Sequence, residues 1–283
     1  MIESAKDSGH YHANKDAKRM ITELSNEQVS NYQQDGFIHI PGFLSTNEVE
    51  TWRTRLERAV AGRDERIPGS GDSGKIEKVE YDSVFLQRVN LWQTDQDMRT
   101  LVLDERIGRL AAALERLDCV RLWHDQALIK KPWANPTTFH IDDPYWSFHS
   151  RQATTCWIAL DDVTIQNGAL YFLPGTHKQA TYDNVNIGVS MGALFDIYPN
   201  WGNIEPVPVE MKAGDCSFHN GLTAHAAGPN MTTKDRRAFA IIYMPDGGSF
   251  NGNRNVLPEA LSQSLSIGEP LNDASQNPII FQR

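Results

Sequence analysis

The chain reads as a mainly β protein with flanking α-helices, folded as one domain in which helices precede a strand-rich core. Three observations carry that reading. Up to about residue 119, apolar residues recur at helical spacing behind capping motifs. From Val120 onward they gather into short runs of β-forming residues bounded by turn residues. No internal repeat or domain linker interrupts the 283 residues.

The elements follow in order. Residues 1 to about 22 are charged and short of large apolar side chains, which predicts a flexible tail before a single domain over 23–283. Ser25-Asn26-Glu27-Gln28 and Ser45-Thr46-Asn47-Glu48 both have the form of a capping box. The second opens a helix whose Val49, Trp52, Leu56 and Val60 share a face, with Gly62 ending it. Arg63 to Lys78 is rich in glycine, serine and charge and reads as a flexible loop. A further helix is expected from Asp104, striped by Ile107, Leu110, Leu114 and Leu117. The core, about 120–246, holds the strand candidates Ala127-Leu128-Ile129, Thr155 to Leu160, Ala169 to Leu173 and Arg236 to Tyr243. Asn167-Gly168 suits a tight hairpin turn, because both positions tolerate positive φ. Ala180 to Pro208, with Gly188, Gly192 and Gly202, reads as a lid or substrate-recognition loop; a structural insertion or a dimer contact is the alternative. Residues 247–283 form a C-terminal extension.

Composition narrows the function classes. A net charge of −9 has the wrong sign for a nucleic-acid binder, and no basic run acts locally. Cys119, Cys156 and Cys216 are well separated and odd in number, so no disulfide framework is expected; the last two lie in apolar strands as buried thiols. The opening residues lack the apolar core of a secretory signal, and no run approaches eighteen apolar residues. A cytoplasmic protein with no membrane span is expected, with a homodimer as one option for its assembly.

The chemistry concentrates around His140-Ile141-Asp142, with His225 far downstream. Two histidines and one carboxylate are the ligand set of a mononuclear non-haem iron(II) site, which holds one face of the metal and leaves the other open. Residues i and i+2 of an extended strand point to the same side, so His140 and Asp142 can reach one metal. A bare His-x-Asp triplet is a weak signal among nine histidines and thirty-six acidic residues, so its company matters. Arg236 stands at the mouth of an apolar strand, where burial is costly unless the guanidinium meets an anion. A dicarboxylate would serve, because guanidinium and carboxylate pair through two parallel hydrogen bonds. Adjacent strand residues face opposite sides, so Arg237 then faces outward as a solvated charge. Other histidines have blander readings. His177 satisfies a turn, His149 faces substrate or solvent, and His124, His10 and His12 lack a ligand partner at useful spacing.

Four blocks occur in a set order. The first is Asp35-Gly36-Phe37-Ile38-His39-Ile40-Pro41-Gly42-Phe43-Leu44, and the second is Phe139-His140-Ile141-Asp142. The third joins Trp157-Ile158-Ala159-Leu160-Asp161-Asp162 to Asn167-Gly168-Ala169-Leu170 and Leu173-Pro174-Gly175-Thr176-His177. The fourth joins Gly214-Asp215-Cys216-Ser217-Phe218-His219 to Gly221-Leu222-Thr223-Ala224-His225, Gly228-Pro229-Asn230 and Arg236. From about Leu24 to Pro245 this order resembles the phytanoyl-CoA dioxygenase family of iron(II)- and 2-oxoglutarate-dependent oxygenases.

The resemblance implies a double-stranded β-helix, or jelly roll, with iron near its open end. It implies that His140, Asp142 and His225 bind the metal and that His219 is a hydrogen-bonded neighbour or core residue. Arg236, eleven positions after His225, matches the co-substrate arginine. Gln126, Lys130 or Lys131 could help hold 2-oxoglutarate, with edge-strand polarity as the alternative, and Trp157 lines that side or is core. Tyr145, Trp146 and Phe148 follow the metal pair and form a substrate wall suited to a partly apolar small molecule. The implied reaction uses O2, decarboxylates 2-oxoglutarate to succinate and CO2, and hydroxylates the substrate. Halogenating relatives carry a small residue at the Asp142 position, so the carboxylate argues for oxidation. Desaturation, epimerisation or ring closure by the same chemistry remains open. So do a non-catalytic metal-binding jelly roll and a metal-dependent hydrolase or isomerase.

Overall fold

Two serine caps start the helical layer. In the computed structural model, which describes residues 20–68, 84–188 and 190–283, Ser25 N donates to Gln28 Oε1 and Gln28 N donates to Ser25 Oγ. This opens α1 (Asn26–Asp35), and Gly36 closes it at φ 82 so that the chain turns directly into β1 (Phe37–Ile40). The reversal is tight: a Cβ on Gly36 would come within 2.4 Å of His177 Nδ1 and Thr223 Oγ1. Ser45 and Glu48 repeat the capping box for α2 (Thr46–Ala61), which buries Val49, Trp52, Leu56 and Val60. After β2 (Leu86–Val89) come α3 (Leu91–Thr94), α4 (Gln96–Val102) and α5 (Glu105–Glu115). Buried Asp125 caps α3 by accepting from Leu91 N and Trp92 N at 2.9 and 3.1 Å. Ile107, Leu110 and Leu114 are buried as predicted, but Arg116 takes the left-handed conformation that ends α5, so Leu117 lies past the helix.

The strands continue as β3 (Cys119–Lys130), β4 (Thr137–His140), β5 (Thr154–Ala159) and β6 (Leu170–Phe172). The short α6 (Leu194–Ile197) precedes β7 (Val207–Val209), β8 (Cys216–Asn220), β9 (His225–Ala227) and β10 (Arg236–Pro245). α7 (Glu259–Ser264) and β11 (Ile279–Gln282) complete the chain. All strand pairs are antiparallel. One sheet runs β1-β8-β5-β10-β3-β11, with β2 also on β3, and the other runs β4-β9-β6-β7. Together they make the expected jelly roll. Alternation along β10 sends Phe239, Ile241 and Tyr243 to the helical side, where Trp52 and Leu110 pack, and Ala238, Ala240 and Ile242 to the barrel interior. Alanines at two of those interior positions leave room for a cavity.

Several expectations change on folding. β5 and β6 lie in different sheets, so Asn167-Gly168 is not a hairpin turn. Asn167 instead ends a 3-10 turn and accepts from Thr164 N at 2.7 Å, while Gly168 alone has positive φ, at 101. The chain is anchored from residue 20: Met20 is buried and Ile21 N donates to Phe43 O. The rest of the expected tail, residues 1–19, lies outside the described residues, as does the part of the expected 63–78 loop beyond residue 68. Within the 180–208 segment, Leu194 and Trp201 are buried in one cluster with Phe139, Ile141 and Leu222, and Ile187 lines the barrel cavity. The C-terminal extension adds β11 to the edge of the large sheet. No helix among the described residues is long and apolar enough to cross a membrane.

Candidate metal centre

His140 ends β4 and His225 opens β9, and the two are ladder partners. Asp142 does not lie on an extended strand, contrary to expectation. Its backbone is helical (φ −79, ψ −41), at the start of a 3-10 turn over Asp143–Tyr145. Gly221 O fixes that turn by accepting from both Asp142 N and Asp143 N at 2.9 Å. Asn184 of the 180–208 segment clamps Ile141 from the other side, donating to its carbonyl at 2.6 Å and accepting from its N–H at 3.4 Å. The turn therefore brings the carboxylate back to the histidines: Asp142 Oδ1 is 3.5 Å from His140 Nε2 and 3.8 Å from His225 Nε2. The candidate ligand atoms of the three residues all lie within 4.8 Å of one another.

The donor set fits a divalent iron. Each histidine is tied through Nδ1 to the carbonyl two residues earlier, His140 to Thr138 O at 2.8 Å and His225 to Thr223 O at 3.0 Å. Such bonds fix the tautomer and leave Nε2 free as the metal-facing nitrogen. Burial, with His140 alongside, pushes His225 down to about 3, so it is a neutral imidazole. Burial opposes ionisation of Asp142, but His225, His140 and His219 outweigh it and hold the carboxyl well below its usual range. A neutral imidazole and an anionic carboxylate are the forms that ligate metal. His219 is a buried neighbour, its Nε2 3.4 Å from Asp142 Oδ2, and neither ring nitrogen makes a hydrogen bond among the described residues.

A cavity of about 680 Å³ runs past this cluster. Arg236 lines it and is 1% exposed, with Nε, Nη1 and Nη2 all lacking a hydrogen-bond partner among the described residues. Its guanidinium stacks 5.1 Å from the Trp157 ring and 5.7 Å from Phe85. A buried fork of unmet donors in a cavity fits a carboxylate, which is the distal group of 2-oxoglutarate. Arg237 faces away, as expected, but it is paired rather than solvated, meeting Asp161 at 2.9 Å and Glu57 at 2.6 Å. Ladder parity separates the two lysines. Lys130 stands opposite Arg236 and is buried, its ammonium over Phe85 at 4.6 Å and donating to Asn135 O at 2.6 Å. Lys131 rather than Lys130 is among the cavity's lining residues, with its ammonium on Asp235 at 2.9 Å toward the exposed side. Lys130 is thus the lysine opposite the arginine, and burial with Arg236 alongside pushes its ammonium down to about 7. Gln126 lines the cavity and accepts from Gln87 at 2.6 Å.

At the other end Tyr145 and Trp146 line the cavity, whereas Phe148 does not. Phe148 is fully buried against Trp123 and Trp146, so it belongs to the core. His149 is tied to Asp143 at 3.0 Å and is not among the cavity's lining residues. Sequence reasoning passed over His124, Phe85, Thr137, Ile187 and Asn255, all of which line the cavity. For His124 the signal was available in its parity with Gln126, two residues on. For Asn255 none was, because it arrives from the C-terminal extension.

A jelly-roll barrel carrying two histidines and a carboxylate beside a buried, unpaired arginine defines a non-haem iron, 2-oxoglutarate-dependent oxygenase. The family model for phytanoyl-CoA dioxygenase (PhyH) matches residues 32–238, and the chain belongs to that family. It is similar to the methylphosphonate hydroxylase of Gimesia maris, at 27% identity over 79% of this chain and 82% of the relative. Among solved structures, the non-haem α-ketoglutarate-dependent carbocyclase SnoK from nogalamycin biosynthesis aligns at 29% identity and a TM-score of 0.77, covering 93% of this chain and 99% of SnoK. The epimerase SnoN of the same biosynthesis aligns at 27% identity and a TM-score of 0.71, covering 90% and 97%.

Proposed function

We propose that His140, Asp142 and His225 hold the iron, that Arg236 receives the distal carboxylate of 2-oxoglutarate, and that the enzyme oxidises a small organic molecule, by hydroxylation. The observation that carries this reading is the unmet guanidinium of Arg236 in the cavity that the triad faces. A passive metal site has no need of an anion receptor, and a hydrolase has no need of a second carboxylate. When bound, iron and 2-oxoglutarate supply dioxygen activation with loss of CO2 and formation of succinate.

The chain's own part is orientation and exclusion of water. Trp157 and Phe85 flank the guanidinium and keep it dry, which strengthens its hold on an anion. Lys130 stands opposite Arg236 on the ladder, pushed down to about 7 by burial and by Arg236, and a carboxylate bound there would favour its protonated form; Gln126 lines the same cavity. The Asn184 clamp and the Gly221 carbonyl keep Asp142 from following substrate motion. Tyr145 and Trp146 bound the substrate end, and a cavity of about 680 Å³ suits a small ligand rather than a macromolecule. Epimerisation or ring closure is the second reading, favoured by the likeness to SnoK and SnoN. The buried, unlinked Cys156 and Cys216 accord with a reducing, cytoplasmic setting.

Iron-loaded protein given 2-oxoglutarate in air tests the reading. Slow succinate release by wild type, absent in Asp142→Ala, is expected. Release at the wild-type rate by Asp142→Ala would remove Asp142 from the ligand set.

A further inference from the structure

β3 breaks its alternation at one place. Its ladder with β10 pairs Ile242 with His124 and Tyr243 with Leu122, so Trp123 is an inserted residue. A bulge of this kind re-aims side chains, here turning two successive ones to the same side. Trp123 joins the barrel interior, 5.2 Å from Phe148, and His124 lines the cavity. From there Gln126 and Leu128 continue the cavity wall toward Lys130, the ladder partner of Arg236. Six residues of strand put His124 about 20 Å from that end, so it lies far from the co-substrate arginine.

His124 is buried with one nitrogen unmet. Its Nδ1 lies 3.3 Å from Asp125 O, which places the proton there and leaves Nε2 as an acceptor. No partner for Nε2 occurs among the described residues. Burial pushes the imidazole down to about 4, so it is neutral at physiological pH. Asn255 reaches the same cavity from the C-terminal extension. It has a φ of 43, a left-handed conformation that costs a side-chain-bearing residue energy, and its Oδ1 is buried without a hydrogen-bond partner. Each acceptor is thus held by an irregular backbone, and each is unsatisfied. Leu86, Val89, Trp146, Ile187 and Val256 give the same cavity apolar walls.

We propose that His124 and Asn255 are specificity-determining residues that read hydroxyl groups, and that the substrate is a partly apolar molecule with at least two O–H donors. One hydroxyl donates to His124 Nε2 and another to Asn255 Oδ1, while the apolar walls hold the hydrocarbon part. The inference rests on the oxygenase reading of the cavity and adds the substrate class to it. Acceptors at two points reject an ether or a deoxy analogue, because neither can donate and each leaves an acceptor unmet.

The test uses iron-loaded, full-length protein with 2-oxoglutarate under anaerobic conditions, titrated calorimetrically with 2,6-dihydroxynaphthalene, its monomethyl ether and its dimethyl ether. In wild type each methylation weakens binding roughly two- to tenfold, the weight of one neutral hydrogen bond. His124→Phe keeps a ring in place, and Asn255→Gly suits the positive φ. Each abolishes one of the two steps, and in the double variant all three probes bind alike. The affinity for 2-oxoglutarate stays unchanged throughout, which reports an intact fold. A single variant that keeps both steps overturns the proposal. So does a wild type that binds the diol no better than the diether, or not at all, while still binding 2-oxoglutarate. Failure of wild type to bind 2-oxoglutarate overturns the oxygenase reading instead.

Discussion

Replacing Arg236 with methionine should move stability and co-substrate affinity in opposite directions. Without a ligand, the guanidinium is buried with no carboxylate against it, and burial pushes it from its usual value down to about 10. It stays charged at pH 7 in both folded and unfolded states, so the full penalty is present there, about 3 kcal/mol. Methionine removes that charge at similar volume. No new orphan appears, because Asp161 is paired with Arg53 and Arg237. The loss of stacking on Trp157 and Phe85 offsets part of the gain. The ligand-free variant should therefore melt higher, by up to about 5 °C for a chain of this size. With 2-oxoglutarate the sign reverses. Truncating one partner of a buried, hydrogen-bonded charge pair costs about 2–5 kcal/mol, or about 30- to 5000-fold in Kd. Scanning calorimetry of the ligand-free protein and anaerobic titration of 2-oxoglutarate read the two effects separately. A variant that melts lower and binds 2-oxoglutarate within threefold of wild type would show that Arg236 is a structural residue.

Three further outcomes follow from the same geometry. Glu115 is buried and pushed up to about 7 by burial, although Tyr32 and Asn220 donate to it. A carboxyl raised in the fold stabilises below its unfolded pKa and loses that contribution as pH rises through the folded value, so urea unfolding should show up to about 3 kcal/mol lost between pH 4.5 and 8 that Glu115→Gln does not lose. Phe148→Ala should cost about 3–5 kcal/mol of stability as a core truncation, with 2-oxoglutarate affinity unchanged; an unchanged unfolding free energy would show that Phe148 is not a core residue and return it to the substrate wall. Asn184→Ala removes the clamp on Ile141 and should weaken iron binding about 10-fold or more while leaving Arg236 in place, whereas unchanged iron affinity would show that Gly221 alone fixes the turn.

What could be read from the chain was local or paired by parity. Ser25 and Ser45 announce their helices because a capping box is complete within four residues. Arg236 could be preferred to Arg237 because its place, eleven residues after His225, matches the family's arginine, and alternation then turns Arg237 outward. The same parity rule distinguishes Lys130 from Lys131 only once the ladder with β10 is known, since a rule of alternation needs one fixed point. Asn167-Gly168 misled because a turn dipeptide reports that the chain reverses, not that its flanks pair. The bulge at Trp123 left no local mark, and His124 could be placed on the cavity side only through its parity with Gln126. Asp142 reached the metal cluster by a helical turn rather than by strand alternation. The spacing pointed to a residue that joins the cluster, but the fold brings it there differently. Asn255, brought in over a hundred residues from the metal pair, could come only from the folded structure.

The most direct test of the central claim is an anaerobic titration of iron(II)-loaded protein with 2-oxoglutarate, watching the weak visible charge-transfer band of the chelate. The account predicts a band that saturates with 2-oxoglutarate in wild type, is lost in His225→Ala, and in Arg236→Met needs far more 2-oxoglutarate to form. Confirmed iron binding with no band in wild type would contradict it.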